Sequence, residues 1–440
     1  MKNVIGIRKE DKDLSERRAP LSPAQVKRLI NEHGIEVHLE QSETRVFRND
    51  EYKNAGAVLE DELADCNIIF GVKEVPVKRI QPNQPYCFFS HTIKGQSHNM
   101  EMLKHILRVK ATLFDYERII NDEGKRLIFF SRFAGCAGMI NTIWALGQRL
   151  LWEGYDSPFA KVKRAFKYDS LSEAKAEIKL IGEMILAKGL KADFLPLIVG
   201  FAGYGNVSLG AQEIFNLLPH ISIKPSELKE VINKKGQEQH QLYKVIFKEE
   251  NLVEPKNPQQ TFDLSDYYSY PQNYHSIFED YLRHLTILVN AIYWEPKYPR
   301  LVTKKFLKGY YHNNTSSKIR VIGDITCDID GSVECTIEAT KVDNPVYVYN
   351  PFTHKINYGV EGTGPVVLAL DRLPNEFAKE STDAFGDALL PFIPALAKAD
   401  FTQTFEQLEI PKEFKRAIIT HDGHLTPDYI FLNDFINNPA

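Results

Sequence analysis

Short β-branched or aromatic runs alternate with segments of helical periodicity from the first residues onward, and this alternation restricts the fold more than any other feature. Parallel strands cannot be joined by hairpins, so each pair needs a crossover, and helices supply it. The runs KNVIGI, IEVHLE, NIIFGV, YCFFS and ATLFDY are separated by helical patterns in SPAQVKRLINEHG, near DEYKNAGA and in NMEMLKHILR. Ser22 ahead of Pro23 reads as a helix start and Gly34 as a stop. The expectation is a parallel sheet covered by helices. Residues 134–152, AGCAGMINTIWALGQRLLW, predict one long apolar helix connecting two domains, followed by a polar insertion over 153–190. LPLIVG then opens a second α/β unit, with further strands expected at YKVIF, ILVNAIYW, RLVT, KIRVIGDIT and VYVYN. Beyond Val342 the chain, including TDAFGDALLPFIPALA, carries loops and helices with no sheet of their own and is expected to return to the first domain.

The second unit opens on LPLIVGFAGYGNVSLGAQEIF, where an apolar run meets three glycines and helical spacing resumes. Gly203 and Gly205 allow φ > 0 and close approach to the main chain; Gly210 is expected to let the following helix sit close to the strand. Asn206 and Val207 open that helix, whose free N–H groups and positive dipole end suit a pyrophosphate. The spacing GxGxxxxG departs by two residues from GxGxxG, so the loop alone leaves an ordinary glycine-rich turn open. About 20 positions on, where an NAD site places an acid on the ribose, HISIKPSEL carries Lys224 and Ser226, which suit a 2′-phosphate and hence NADPH over NADH. Asn290 and Tyr293 of ILVNAIYW, and Asp324 at the end of KIRVIGDIT, are expected to face the same crevice.

In an open parallel sheet, ligands bind outside the carboxyl ends of the strands. There NIIFGV delivers Lys73 and Glu74, YCFFS delivers His91, and ATLF delivers Asp115, Tyr116 and Glu117, while Arg17 and Arg18 lie on the loop leaving the first strand. A histidine is commonly a surface or satisfied core residue, and Lys73 with Glu74 could be a solvated pair. Their shared topological position favours a functional cleft.

The 440 residues allow two or three domains, and 43% hydrophobic with 25% charged residues is ordinary for a globular chain. A net charge of −4 argues against nucleic-acid or anionic-membrane partners. The charged N-terminus and the lack of long apolar runs predict a cytoplasmic protein, or one of the mitochondrial matrix if a presequence has been removed. Five scattered cysteines without CxxC spacing suggest neither disulfides nor a zinc site, and no metal is expected.

The segments ERRAPLSP, GVKEVP, FFSHTIKGQ, FDYERI, AGCAGMIN, GFAGYGNVSLGAQEIFN, ISIKPSELKEV, NAIYWE, GDITCDIDGSVE, VEGTG and ESTDAFGDALLPF occur in order along nearly the whole chain. Together they resemble the lysine-ketoglutarate reductase half of aminoadipic semialdehyde synthase, related to L-lysine-forming saccharopine dehydrogenase and more distantly to alanine dehydrogenase. The resemblance implies two Rossmann-like domains with the active site in the cleft between them, residues 1–133 plus 343–440 binding substrate and 134–342 binding the dinucleotide. It implies condensation of lysine with 2-oxoglutarate and reduction of the imine by NADPH to saccharopine, with Lys73 and His91 as acid–base pair and Arg18 on substrate. Arg17 and Arg132 are further candidates to grip the substrate carboxylates, and Glu74, Asp115 and Glu117 to line or tune the site. The saccharopine-oxidising half lies outside the resemblance, so a separate enzyme for that step and a homo-oligomer are possible partners. Alternatives are another amino-acid dehydrogenase of this fold, such as one acting on alanine, and a non-catalytic nucleotide-sensing module.

Overall fold

The computed structural model describes residues 3–12, 15–191, 195–234, 238–313 and 318–437, and the chain divides into two units, residues 1–130 with 378–440, and 131–377. In the first unit β1 (Val4–Ile7), β2 (Glu36–Glu40), β3 (Val58–Glu60), β4 (Ile68–Phe70), β5 (Pro85–Phe88) and β6 (Thr112–Asp115) form a parallel sheet in the order 3-2-1-4-5-6. This order reverses direction at β1, which lies between β2 and β4, so a crevice opens beyond the carboxyl ends of β1 and β4. The expected helices are present as α1 (Pro23–His33), α2 (Asn49–Asn54) and α3 (Ser97–Arg108). Gly34 ends α1 in the left-handed region at φ 62°. Two late strands, Ile418–His421 and His424–Leu425, extend the sheet antiparallel beyond β6, and one apolar core fills each face.

The second unit begins with α4 (Ser131–Trp152), almost wholly buried because its apolar residues run round the whole cylinder. The polar insertion expected over 153–190 holds α5 (Leu171–Lys188), which is amphipathic. It buries Leu171, Ala174, Ile178, Ile181 and Ile185 in the core and leaves its charges in water. Then come β7 (Ile198–Ala202), α6 (Asn206–Phe215), β8 (His220–Ile223) and β9 (Leu242–Phe247). The strands β10 (Val253–Pro255) and β11 (Tyr274–Ser276) form a separate ribbon, and β12 (Ile287–Asn290) and β13 (Val321–Asp324) rejoin the sheet. RLVT is no strand: only an isolated bridge joins Val302 to Val333.

The expectation that the chain leaves this unit at residue 343 fails. Three more strands, β14 (Val346–Tyr349), β15 (Ile356–Tyr358) and β16 (Val366–Leu368), belong to the second sheet, where β16 lies parallel to β13 and β14 antiparallel to β16. Their apolar residues are buried against that sheet's own cores, and the return to the first unit comes only at Ala378. The role expected of Gly210 also changes, for its bare Cα admits a helix rather than a strand. A Cβ there would stand 2.0 Å from the Arg132 carbonyl oxygen, and one on Gly135 1.9 Å from that of Val207, so the glycines let α4 and α6 cross with their backbones in contact.

Candidate active site

At the carboxyl rim of the first sheet, the structure brings Lys73, Glu74, His91, Asp115 and Glu117 together. Lys73 and Glu74 follow β4, and the Lys73 ammonium has no ion-pair partner among the described residues. The nearly buried Glu74 accepts a hydrogen bond from His91 Nδ1 at 2.9 Å and an ion pair from Lys12 Nζ at 2.9 Å, both on Oε1. Burial works against ionisation of Glu74, yet His91 and Lys12 outweigh it and bring its carboxyl down to about 2. His91 itself sits at φ 51°, a conformation that costs a non-glycine residue about 1 kcal/mol or more and commonly marks a functional position. The Asn99 side chain holds its carbonyl, and Phe89 stacks on its ring.

Asp115, expected to touch substrate, is fully buried. Its carboxylate accepts from the Ser90 amide, the Ser90 hydroxyl and the Glu117 amide, lashing the end of β6 to the residue before His91. Burial raises its carboxyl to about 6, with Ser90 pulling down and the Glu117 charge pushing up. It therefore orients the rim without facing it. Glu117 accepts from Arg126 at 3.0 Å, on the loop after β6.

The arginines separate. Arg18 is buried, its guanidinium closed on Glu16 by two hydrogen bonds of 2.8 and 2.6 Å and stacked 4.2 Å above Phe130. Arg17 is exposed. Arg132 belongs to the second unit, where it donates twice to Glu213, at 2.7 and 2.6 Å. The carboxylate it grips is one of the chain's own, as is the one Arg126 grips in the first unit.

In the second unit, a cavity of about 370 Å³ lies beyond the carboxyl ends of β7 and β12, at that sheet's own reversal point. Gly203, Gly205, Tyr293, Trp294, Tyr267, Tyr268 and Glu249 line it. Gly203 takes φ 97°, and a Cβ there would meet the Ala291 carbonyl oxygen at 2.9 Å. Gly205, by contrast, has φ −77° and open space around it, so its value is the room it leaves before Asn206 and Val207 start α6. These bare amides and the helix dipole fit a pyrophosphate.

Four expected contacts lie elsewhere. Asn290 and Asp324 are buried, and Asp324 accepts from Asn290, Thr326 and Thr336, a satisfied network below the cavity. Lys224 and Ser226 follow β8, but β8 is the edge strand; the strand beside β7 is β9. Ser226 lines a different hollow, with Lys229 and His284. The residues at the ribose position are thus Lys248 and Glu249. Glu249 faces the cavity, its carboxylate accepting from Tyr268 at 2.8 Å and Tyr204 at 3.5 Å, while Lys248 lies over the Tyr204 ring.

Residues 6–137 match the family described as alanine dehydrogenase/PNT, N-terminal domain. The chain is similar to alpha-aminoadipic semialdehyde synthase of Arabidopsis thaliana, 39% identical over 98% of this chain and 41% of that protein. It is 34% identical to the mitochondrial protein of that name from Bos taurus, over 99% of this chain and 48% of that one. The chain therefore spans about half the length, or less, of these relatives. A saccharopine dehydrogenase [NAD(+), L-lysine-forming] of Emericella nidulans is 28% identical over 92% of this chain and 96% of its own. Among solved structures, an L-alanine dehydrogenase superposes with a TM-score of 0.60 at 18% identity, over 98% of this chain and 99% of that one. A transhydrogenase from Sinorhizobium meliloti superposes with a TM-score of 0.54 at 16% identity, over 96% and 98%. Among the described residues no helix is long and apolar enough to cross a membrane. Residues 6–137 thus carry the match to the alanine dehydrogenase/PNT N-terminal domain, and nearly the whole chain is similar to part of the aminoadipic semialdehyde synthases and to the L-lysine-forming saccharopine dehydrogenases.

Proposed function

We propose that the chain is an oxidoreductase that condenses the ε-amine of lysine with the ketone of 2-oxoglutarate and reduces the resulting imine to saccharopine with a nicotinamide dinucleotide. The observation that carries this reading is the Lys73–Glu74–His91 group at the rim of the first sheet, in a chain 98% of which aligns with part of an aminoadipic semialdehyde synthase. Imine formation needs a proton delivered to the departing hydroxyl and another held for the nitrogen. Glu74 fixes His91 through Nδ1, leaving Nε2 to exchange that proton, and Lys73, next to Glu74 on the loop after β4, is the second acid–base group. Arg17, exposed on the loop after β1, offers a guanidinium group to a substrate carboxylate. Arg18, closed on Glu16, steadies the loop that presents Arg17.

The bound dinucleotide would supply the hydride, held by Gly203, Gly205 and the amides opening α6. Lys224 stands beyond the strand that reads the ribose, which withdraws the argument for NADPH. Glu249, turned into the cavity, suits a free ribose 2′-hydroxyl and repels a 2′-phosphate, so we read the cofactor as NADH. The fungal relative's name, which specifies NAD(+), agrees. The substrates are water-soluble, consistent with the cytoplasm or the mitochondrial matrix, and a separate saccharopine-oxidising enzyme would consume the product. The test is oxidation of NADH and of NADPH by the purified protein with lysine plus 2-oxoglutarate, against pyruvate plus ammonia. Oxidation that required pyruvate and ammonia, or that ignored lysine, would defeat the proposal.

A further inference from the structure

Beyond Ile7, β1 gives way to an extended segment that runs alongside the loop after β4, and its alternate residues engage that loop in sequence. The Arg8 amide donates to the Phe70 carbonyl at 3.0 Å, and Lys12 reaches Glu74 at 2.9 Å. Between them, Glu10 Oε1 accepts from the Val72 amide at 2.7 Å and Oε2 from the Lys73 amide at 2.9 Å. On the loop's other side, the Gly71 amide donates to the Cys87 carbonyl and the Val72 carbonyl accepts from the Phe89 amide, so β5 still pairs there. A parallel neighbour would normally take the remaining amides, and here a side-chain carboxylate takes the neighbour's place.

We propose that Glu10 is a positioning residue for the active site: its carboxylate fixes the main chain of Lys73 and thereby sets where the Lys73 ammonium and the Glu74–His91 pair stand. The inference rests on the acid–base reading of Lys73 and His91. Glu10 is buried at 7% exposure, and two otherwise unpaired amides converge on it at the reversal point of the sheet. Charge-assisted hydrogen bonds are the stronger kind, and a buried amide left without an acceptor is costly, so the arrangement specifies one loop geometry. The charged groups around it are Arg8, whose Nη1 lies 3.6 Å from Oε2, and Glu16, itself engaged by Arg18. Burial pushes the Glu10 carboxyl up while Arg8 and the two amides hold it down. The Arg8 stem packs against Gly71, where a Cβ would come within 2.9 Å of Arg8 Cδ, so the clamp itself is braced.

Glu10→Gln keeps the shape and one acceptor but turns an N–H against an amide donor. In this variant, hydrogen exchange at Val72 and Lys73 should accelerate about tenfold or more while Ile68–Phe70 stays protected, and the NMR resonances of the His91 ring at fixed pH should move as its Nδ1 hydrogen bond to Glu74 is disturbed. The kcat should fall roughly tenfold or more, since displacements near 1 Å in a reacting group can cost about 10²-fold, with dinucleotide affinity within about twofold of wild type. Glu10→Asp, able to reach one amide, should fall between. A folded Gln variant with unaltered His91 ring resonances and kcat would overturn the proposal. So would global unfolding of both variants, which would make Glu10 a stability residue instead. Exchange and ring resonances need no substrate, so a wild type inactive on lysine and 2-oxoglutarate would sink the functional reading and leave this one standing.

Discussion

Glu74→Gln removes one charge from a carboxylate whose Oε1 stands 2.9 Å from both His91 Nδ1 and Lys12 Nζ. The carboxyl falls from 4.5 to about 2, because His91 and Lys12 outweigh the burial that opposes ionisation. The difference, 4.5 − 2, at about 1.36 kcal/mol per pH unit amounts to about 3 kcal/mol. It is an upper figure, for the Lys12 side chain is 45% exposed and water screens its share. The folded-state value lies below the unfolded one, so this stability is complete above 4.5 and is lost as pH falls through about 2. Glutamine has no such titration. The stability gap between wild type and Glu74→Gln should therefore be widest near neutrality and close progressively as the solution is acidified. All three tryptophans, Trp144, Trp152 and Trp294, lie in the other unit, so fluorescence does not report the event. Hydrogen exchange of the β4 and β5 amides reports it directly. If the two stabilities ran parallel from about pH 6 to about pH 2, Glu74 would not be a paired anion and the electrostatic account would be wrong.

Two further outcomes concern activity. His91→Ala should lower turnover by roughly 10²-fold or more while sparing dinucleotide affinity, the scale for losing a positioned acid–base group; unchanged turnover would remove His91 from the mechanism. Glu249→Ala should weaken NADH by about ten- to a hundredfold, the range of one hydrogen bond to a charged group, and narrow the gap to NADPH, whereas Lys224→Ala should alter neither. A wild type that favours NADPH, or a Lys224→Ala variant that changes the preference, would overturn the Glu249 assignment.

Local periodicity and turn chemistry sufficed for much of this protein. Alternating runs and helices named the parallel sheets, Ser22–Pro23 and Gly34 bounded α1, and the strand ends delivered Lys73, Glu74 and His91 to one rim. Such features are encoded within a few residues. What lay outside reach depended on which strand neighbours which. Lys224 follows the strand next in sequence after α6, but β9 intervenes in space, and only pairing reveals that Glu249 occupies the ribose position. Likewise nothing local shows that Arg132 is held by Glu213, or that Asp115 and Asp324 spend their charge on buried donors. The Val346–Leu368 strands and the Glu10 clamp belong to the same class. Short apolar runs and single carboxylates fit many environments, and their partners, tens of residues away, are chosen only when the sheets assemble.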